Sequence, residues 1–333
     1  MSAQRPIVLG VDGGASKTAC TAILATTQKQ LAKACTGPSN WSSVGRESSL
    51  HALKEAISAT LDGCGRPWDA VAAVCLGMAG VDTPQDQAAL AAAIRSWFPH
   101  NVVHFCIDRP PAWLRHLALL LVYNDAVPAL VSGTDGQLEG CVLIAGTGSI
   151  AFAVMPDGRS ARAAGCGAAF LDGGCGYDLG QKALSAAARG SDGRGPATQL
   201  LPALCDHAQV SSLADLVRWV YAEPGWGRIA GLAPLVVSCA QGGDPPAQDI
   251  LQQGCLDLVT TVQALVQRLQ MAQPFRLVLA GGLMRPGYAY TEMCQQALKA
   301  ALPQAQPCFP KVDAATGAAL LACRRLEQAA CSP

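Results

Sequence analysis

The sequence predicts an α/β protein of two domains, each a mixed sheet covered by helices. Three observations carry this. The chain has 333 residues, too many for one small core and enough for two domains of ordinary size. Its start reads as strands followed by alternating helices and strands. A second strand, Gly-rich turn, strand pattern begins near Gly140.

Taken in order, "PIVLGVD" and "TACTAILAT" are apolar and β-branched enough for strands, and a third follows near Leu31 to Thr36. "SSLHALKEAISATLDG" has apolar residues at helical spacing and ends at a glycine, "AVAAVCLGMAG" is a buried strand, and "PQDQAALAAAIRSWF" is a second helix. "GCVLIAGTGSIAFAVMPDG" repeats the hairpin device of the N-terminus. Helices are expected over Ser212 to Tyr221, Arg228 to Gln241 and Ala247 to Met271. "FRLVLAGG" is a late buried strand, and "AATGAALLACRRLEQA" is a closing helix. The domain boundary falls at about Asp135, giving 1–135 and 136–333, with the last helix able to pack back on the first domain.

Composition narrows the function classes. Half the residues are apolar, 14% are charged, and 24 Lys and Arg balance 24 Asp and Glu, so no basic footprint for nucleic acid or an anionic membrane exists. The longest aliphatic run, Leu117 to Val122, is far short of the roughly 20 residues of a membrane helix. The start shows no cleavable apolar segment. Fifteen cysteines, an odd number without C-x-x-C, read as reduced and mostly buried side chains, with Cys166 and Cys175 the pair to watch. A cytoplasmic protein acting on a small molecule is expected. His100 and His104 are a lone pair, and no H-E-x-x-H or G-x-S-x-G is present.

The stretch "GVDGGASKT" decides the chemistry. A P-loop needs Gly before Lys17, where Ser16 stands, and a helix after it, where "TACTAILAT" is strand-like. The loop is therefore a hairpin turn. Gly13, Gly14 and Ser16 suit backbone approach to phosphate, Lys17 adds a positive charge, and Asp12 can hold Mg2+ directly or through water. "GTGSIA" matches a dinucleotide fingerprint formally, but the "MPDG" turn arrives where a helix is needed, so it too is a hairpin turn. With "LAGGLMRPG" this makes three places where backbone can close on a nucleotide.

The ordered set "GVDGGASKT", "SNWSSVG", "YNDAVPALVSG", "VLIAGTGSIA", "GCGAAFLDGGCGYDLG", "RIAGLAP", "CAQGGDP" and "LVLAGGLM" resembles the N-acetylglucosamine kinases of the BadF/BadG/BcrA/BcrD ATPase family, within the sugar kinase, actin and Hsp70 superfamily. The resemblance implies two RNase H-like (actin-like ATPase) domains around a central cleft, ATP and Mg2+ as cofactors, and phosphorylation of the 6-hydroxyl of N-acetylglucosamine in amino-sugar salvage. It places Gly13, Gly14 and Ser16 in the first phosphate hairpin and Thr147 and Gly148 in the second, with Ala230, Gly281 and Gly282 lining adenosine. Asn40, Asp125, Ser149, Gly165, Cys166, Gly167 and Asp172 match sugar contacts, and Asp125 matches the catalytic carboxylate. A homodimer is an expectation from resemblance alone.

For individual residues the alternatives stay open. Asp125 equally suits a cap on the helix "AVPALVSG", Asp172 an Asp-Gly turn, and Asn40 a turn cap. Ala15 replaces a third glycine and would crowd a phosphate oxygen if its φ were positive. Gly173 stands where an acidic or aromatic residue is common, and Cys175 where Ser is common. Phe105 to Leu121 is longer and less strand-like than the family's approach to the catalytic Asp. A glucosamine or glucose kinase, an ATPase activator using an iron–sulfur cluster, and a non-catalytic sugar or nucleotide sensor remain open.

Overall fold

The computed structural model describes residues 6–98, 103–104, 119–167, 170, 172–223 and 225–331. Most of the unusual Phe105 to Leu121 segment, together with His100 and Leu171, lies outside the described residues. The chain divides into two compact units, one running to Glu139 and taken up again from Pro310, the other Gly140–Phe309. Against the sequence boundary at Asp135, the four residues that follow stay with the first unit.

The first unit opens with β1 (Ile7–Gly13), β2 (Thr18–Leu24) and β3 (Gln30–Thr36), paired antiparallel. The short helix α1 (Trp41–Val44) and α2 (Arg46–Cys64) lead to β4 (Val71–Met78), α3 (Pro84–Arg95), β5 (Val103–His104), β6 (Leu119–Tyr123) and α4 (Ala126–Gly133). The sheet order is β3-β2-β1-β4-β6-β5, with β1, β4, β6 and β5 parallel. β1 and β4 are buried almost throughout, which is why they read as continuous apolar runs rather than alternating ones. Leu9, Leu53, Ile57 and Leu76 are fully buried in this core, each worth about 1.5–3 kcal/mol of removed apolar surface.

The closing helix, Ala314–Cys331, belongs to this unit. It packs on β1, β4 and α4. Arg324 donates to the Asp135 carbonyl at 2.8 Å and Lys311 pairs with the Asp135 carboxylate at 2.8 Å, so the returning segment is pinned where the first pass ends.

The second unit repeats the plan with β7 (Gly140–Ala145), β8 (Ser149–Val154) and β9 (Ser160–Ala164) antiparallel. There follow α5 (Gly176–Ser191), α6 (Leu200–Ala208), α7 (Leu213–Ala222), α8 (Trp226–Ala230), α9 (Ala233–Gln241), α10 (Pro245–Leu269), β10 (Phe275–Ala280), α11 (Ala289–Ala301) and β11 (Ala305–Cys308). Its sheet order is β11-β10-β7-β8-β9, with β7, β10 and β11 parallel. Both sheets therefore join three antiparallel strands to parallel ones through the first strand of the hairpin.

One expected helix is corrected. Arg228 to Gln241 is not continuous but breaks into α8 and α9, with Gly231 and Leu232 between them. Pro234 has no N–H and its ring would strike the carbonyl four residues back, so the ladder restarts with Pro234 in the first turn of α9, where the missing donor costs nothing.

Candidate active site

In the first unit the parallel strands β1, β4 and β6 end on one edge, and each is followed by or ends in a carboxylate: Asp12, Asp82 and Asp125. This is the carboxyl edge at which open α/β sheets bind ligands. Asp12 is half-buried, and burial pushes its carboxyl up to about 6, partly opposed by Lys17 and Lys33 and reinforced by Asp313. Asp125, also half-buried, is pushed up to about 6 by burial first and by Asp12 and Asp82 next. Two carboxylates that sense each other and are both costly to ionise form a site suited to a cation or a transferable proton.

Asp125 sits at the cap position of α4, yet its side chain makes no capping bond. Asn124 does that work: its Oδ1 accepts from the Ala126 N–H at 2.9 Å, and its Nδ2 donates to Asp82. Sequence reasoning missed Asp82 and Asn124. The available signal was recurrence of an Asp after each buried parallel strand.

The β1–β2 turn closes by Gly14 N–H donating to the Lys17 carbonyl at 2.9 Å, and its tip, Ala15 to Lys17, is exposed. Ala15 does not have a positive φ, so the crowding that a left-handed backbone would cause is absent. A Cβ on Gly13 would strike the Met78 thioether and the Ser39 hydroxyl. The Gly14 carbonyl accepts from the N–H groups of Ser39 and Asn40 at 3.0 and 3.1 Å, and Thr18 Oγ1 donates to Ser39 Oγ at 2.7 Å. The structure thus brings Asn40 to the first hairpin. Its Oδ1 caps α1 by accepting from Ser42 and Ser43 N–H at 3.0 and 3.2 Å.

In the second unit, the β7–β8 turn closes by Gly146 N–H donating to the Gly148 carbonyl at 2.9 Å. The N-terminus of α5 lies on it: the Gly146 and Thr147 carbonyls accept from Gly176 N–H at 2.7 Å and Tyr177 N–H at 3.2 Å. A Cβ on Gly176 would sit 3.2 Å from Ala230 Cβ, and one on Gly146 would sit 3.7 Å from Gly282 N. Gly281 has φ +99 and its Cβ position is filled by the Ala145 carbonyl, so only glycine lets the loop after β10 lie on the hairpin. The second hairpin, Ala230, Gly281 and Gly282 are therefore one constellation.

The loop Gly165 to Gly167 meets the same hairpin. Gly165 N–H donates to the Ser149 carbonyl at 2.9 Å, and Ser149 Oγ, almost fully buried, donates to the Gly173 carbonyl at 2.9 Å. Asp172 is buried and accepts from Cys166 N–H at 3.1 Å and Gly167 N–H at 2.7 Å, one on each carboxylate oxygen. It does more than form an Asp-Gly turn: it folds the loop back on itself.

Two departures from the family pattern have local causes. Cys175 caps α5, its Sγ accepting from Asp178 N–H at 3.4 Å, as a Ser hydroxyl would. A Cβ on Gly173 would lie 2.6 Å from Asp257 Cβ. Asp257 therefore occupies that space from α10, bonded to Lys182 at 3.3 Å, while Lys182 also pairs with buried Asp178 at 2.8 Å and Asp178 accepts from Gly174 N–H at 2.9 Å. Among the described residues no group of three or more His, Cys, Asp or Glu is placed to hold a metal ion. None of their helices is long and apolar enough to cross a membrane.

A wide groove of about 720 Å³, lined by residues such as Cys205, Asp215, Arg218 and Trp219, contains none of the residues of this constellation.

Two units of one topology, each with a Gly-rich hairpin at the head of its sheet, define the actin-like ATPase class of fold. The chain belongs to the BadF/BadG/BcrA/BcrD ATPase family, whose model matches residues 9–322. It is 34% identical to an N-acetylmuramic acid/N-acetylglucosamine kinase of Clostridium acetobutylicum, over 95% of this chain and 97% of that one. It is 30% identical to an N-acetyl-D-glucosamine kinase of Dictyostelium discoideum, over 96% and 98%. A crystal structure of a candidate N-acetylglucosamine kinase from Chromobacterium violaceum superposes with a TM-score of 0.72 at 27% identity, covering 95% of this chain and 98% of that one.

Proposed function

We propose that this chain transfers the γ-phosphoryl group of ATP to the 6-hydroxyl of N-acetyl-D-glucosamine. The observation that carries the reading is Asp125: a half-buried carboxylate at the strand edge, raised to about 6 and making no capping bond to the helix it begins. The names of the relatives supply the sugar, and the description of the ATPase family supplies the nucleotide.

Phosphoryl transfer runs through a loose transition state, so positioning and one proton acceptor are sufficient. The sugar 6-oxygen bonds to the γ-phosphorus, the bond from that phosphorus to the bridging oxygen breaks, and ADP leaves with the electron pair. Asp125, ionised at neutral pH, accepts the hydroxyl proton. Gly13, Gly14, Ser16 and Lys17 of the first hairpin and Thr147 and Gly148 of the second approach the phosphates, and Ala230, Gly281 and Gly282 line the adenosine. Asn40, Ser149, Gly165, Cys166, Gly167 and Asp172 receive the sugar. Cys166 is exposed, consistent with a ligand contact rather than a core position.

Asp12 fits Mg2+: its half-buried carboxylate is costly to ionise without a cation, and Mg2+ commonly takes one or two carboxylates plus substrate phosphates. The ion would neutralise charge on the transferring phosphates. The test is ADP formation from Mg-ATP with N-acetylglucosamine, N-acetylmuramic acid, glucosamine, glucose and no sugar, with the product located by phosphorus–proton NMR. Turnover dependent on N-acetylglucosamine and a 6-phosphate product support the reading. Sugar-independent hydrolysis, or glucose used as well as N-acetylglucosamine, would overturn it.

A further inference from the structure

We propose that Trp226 is a wall of the sugar pocket and sets affinity for the substrate's apolar face, an inference that rests on the kinase reading above. Trp226 opens α8 and is 57% exposed, although large aromatic rings are seldom left so open. It stands against the loop matched to sugar contacts: a methyl built on Gly167 would lie 3.7 Å from Trp226 Cη2 and 3.9 Å from its Cζ3. Gly167 has φ +96 and its N–H is held by Asp172 at 2.7 Å, so the indole edge flanks a backbone already fixed in place.

The ring is presented from an anchored helix. Ile229 is buried, its carbonyl fills the Cβ position of Gly180 on α5, and the Arg228 guanidinium stacks on Trp219 at 3.9 Å while pairing with Glu223 at 3.1 Å. Trp226 is thus held beside the loop without itself being needed to hold α8. A pyranose has polar rims and C–H faces. In the kinase reading the remaining lone pairs of Ser149 Oγ and Asp172 address the rims, since the Gly165, Cys166 and Gly167 amides are already bonded within the protein, and binding pockets add aromatic walls for the apolar remainder. Phe170, 76% exposed, belongs to the loop itself, its N–H donating to the Gly167 carbonyl at 3.0 Å; Trp226 adds a second bare aromatic surface, carried by a helix rather than by the loop.

The experiment compares wild type, Trp226→Ala and Trp226→Phe as full-length chains with Mg-ATP and N-acetylglucosamine. In Trp226→Ala, KM for the sugar rises about tenfold, a loss of about 1.4 kcal/mol, while kcat and KM for ATP stay within about twofold. Trp226→Phe recovers most of the loss. Intrinsic fluorescence changes on sugar titration in wild type, and the part contributed by an indole at 226 disappears in Trp226→Phe. Unchanged sugar KM in Trp226→Ala overturns the proposal. So does a parallel rise of sugar and ATP KM, the result expected if the substitution merely loosened α8 and moved Ala230 at its far end. Absence of sugar-dependent turnover in wild type defeats the kinase reading and the wall with it, whereas active wild type with an unaffected variant defeats the wall alone.

Discussion

Replacing Asp125 by Asn stabilises the ligand-free chain at pH 8 while removing its proton acceptor. The carboxyl is raised from 3.8 to about 6, chiefly by burial. At about 1.4 kcal/mol per tenfold change in proton affinity, keeping it ionised in the folded chain costs at most about 3 kcal/mol. Residual contact with water reduces this to about 1–2 kcal/mol. Because the folded chain holds the proton more tightly than the unfolded one, the favourable contribution is complete below pH 3.8 and is lost as pH rises through about 6. Asn mimics the protonated acid at every pH. The variant and wild type therefore unfold together near pH 4, diverge between pH 4 and 6, and differ by a constant amount above it. With about 2–4 °C per kcal/mol for a domain of this size, the variant melts about 2–8 °C higher at pH 8. Thermal unfolding of both proteins across pH 4–8, with chelator and without nucleotide or sugar, reads this directly. A variant less stable than wild type at pH 8, or a difference that ignores pH, would refute the claim that burial and neighbouring carboxylates strain this group.

Three other outcomes are expected. Asp172→Asn leaves one of the two loop amides at Cys166 and Gly167 without its acceptor, costing about 1–3 kcal/mol, so KM for the sugar rises by up to about five- to a hundredfold in steady-state assays with little change in KM for ATP. Gly281→Ala forces a side chain into φ +99 and onto the Ala145 carbonyl, a strain of about 1–3 kcal/mol; calorimetry shows weakened ATP binding with sugar binding retained. Chelation of Mg2+ abolishes turnover and its addition restores it, and Asp12→Asn raises the Mg2+ concentration needed for half-maximal rate.

The strands β1, β2, β4 and β7 were legible because local chemistry agrees with their tertiary role: apolar runs stop where the chain must turn, at glycines after β1, β4 and β7 and at the polar Thr26 to Lys29 after β2. Other elements hid for physical reasons. α5 carries Gly176, Gly180 and Gly190 and a Cys cap; packing against Ala230 and Ile229 demands the first two and the approach of the Pro196 carbonyl the third, and together they erase the helix signature. β11 is four residues with a proline, tolerable only at the sheet edge where it lies. Within the site, Asp125 was readable as an Asp between an apolar run and a helix. Asn124 capping α4 is a contact two residues along the chain and lay within reach of local reasoning; that Asp82 joins the carboxylates depends on the pairing of β4 with β6, a long-range fact absent from local sequence. Asp257 filling the space beside Gly173 is likewise a contact across 84 residues.

The assignment of Asp125 as the proton acceptor stands on turnover measured where binding is known to survive. Wild type and Asp125→Asn are compared for ADP formation from Mg-ATP and N-acetylglucosamine at pH 7.5, with ATP affinity measured by calorimetry on the same preparations. Retained ATP affinity with turnover reduced by about 10²–10⁴ is the expected result; turnover within about tenfold of wild type would mean that another group, or none, takes the proton.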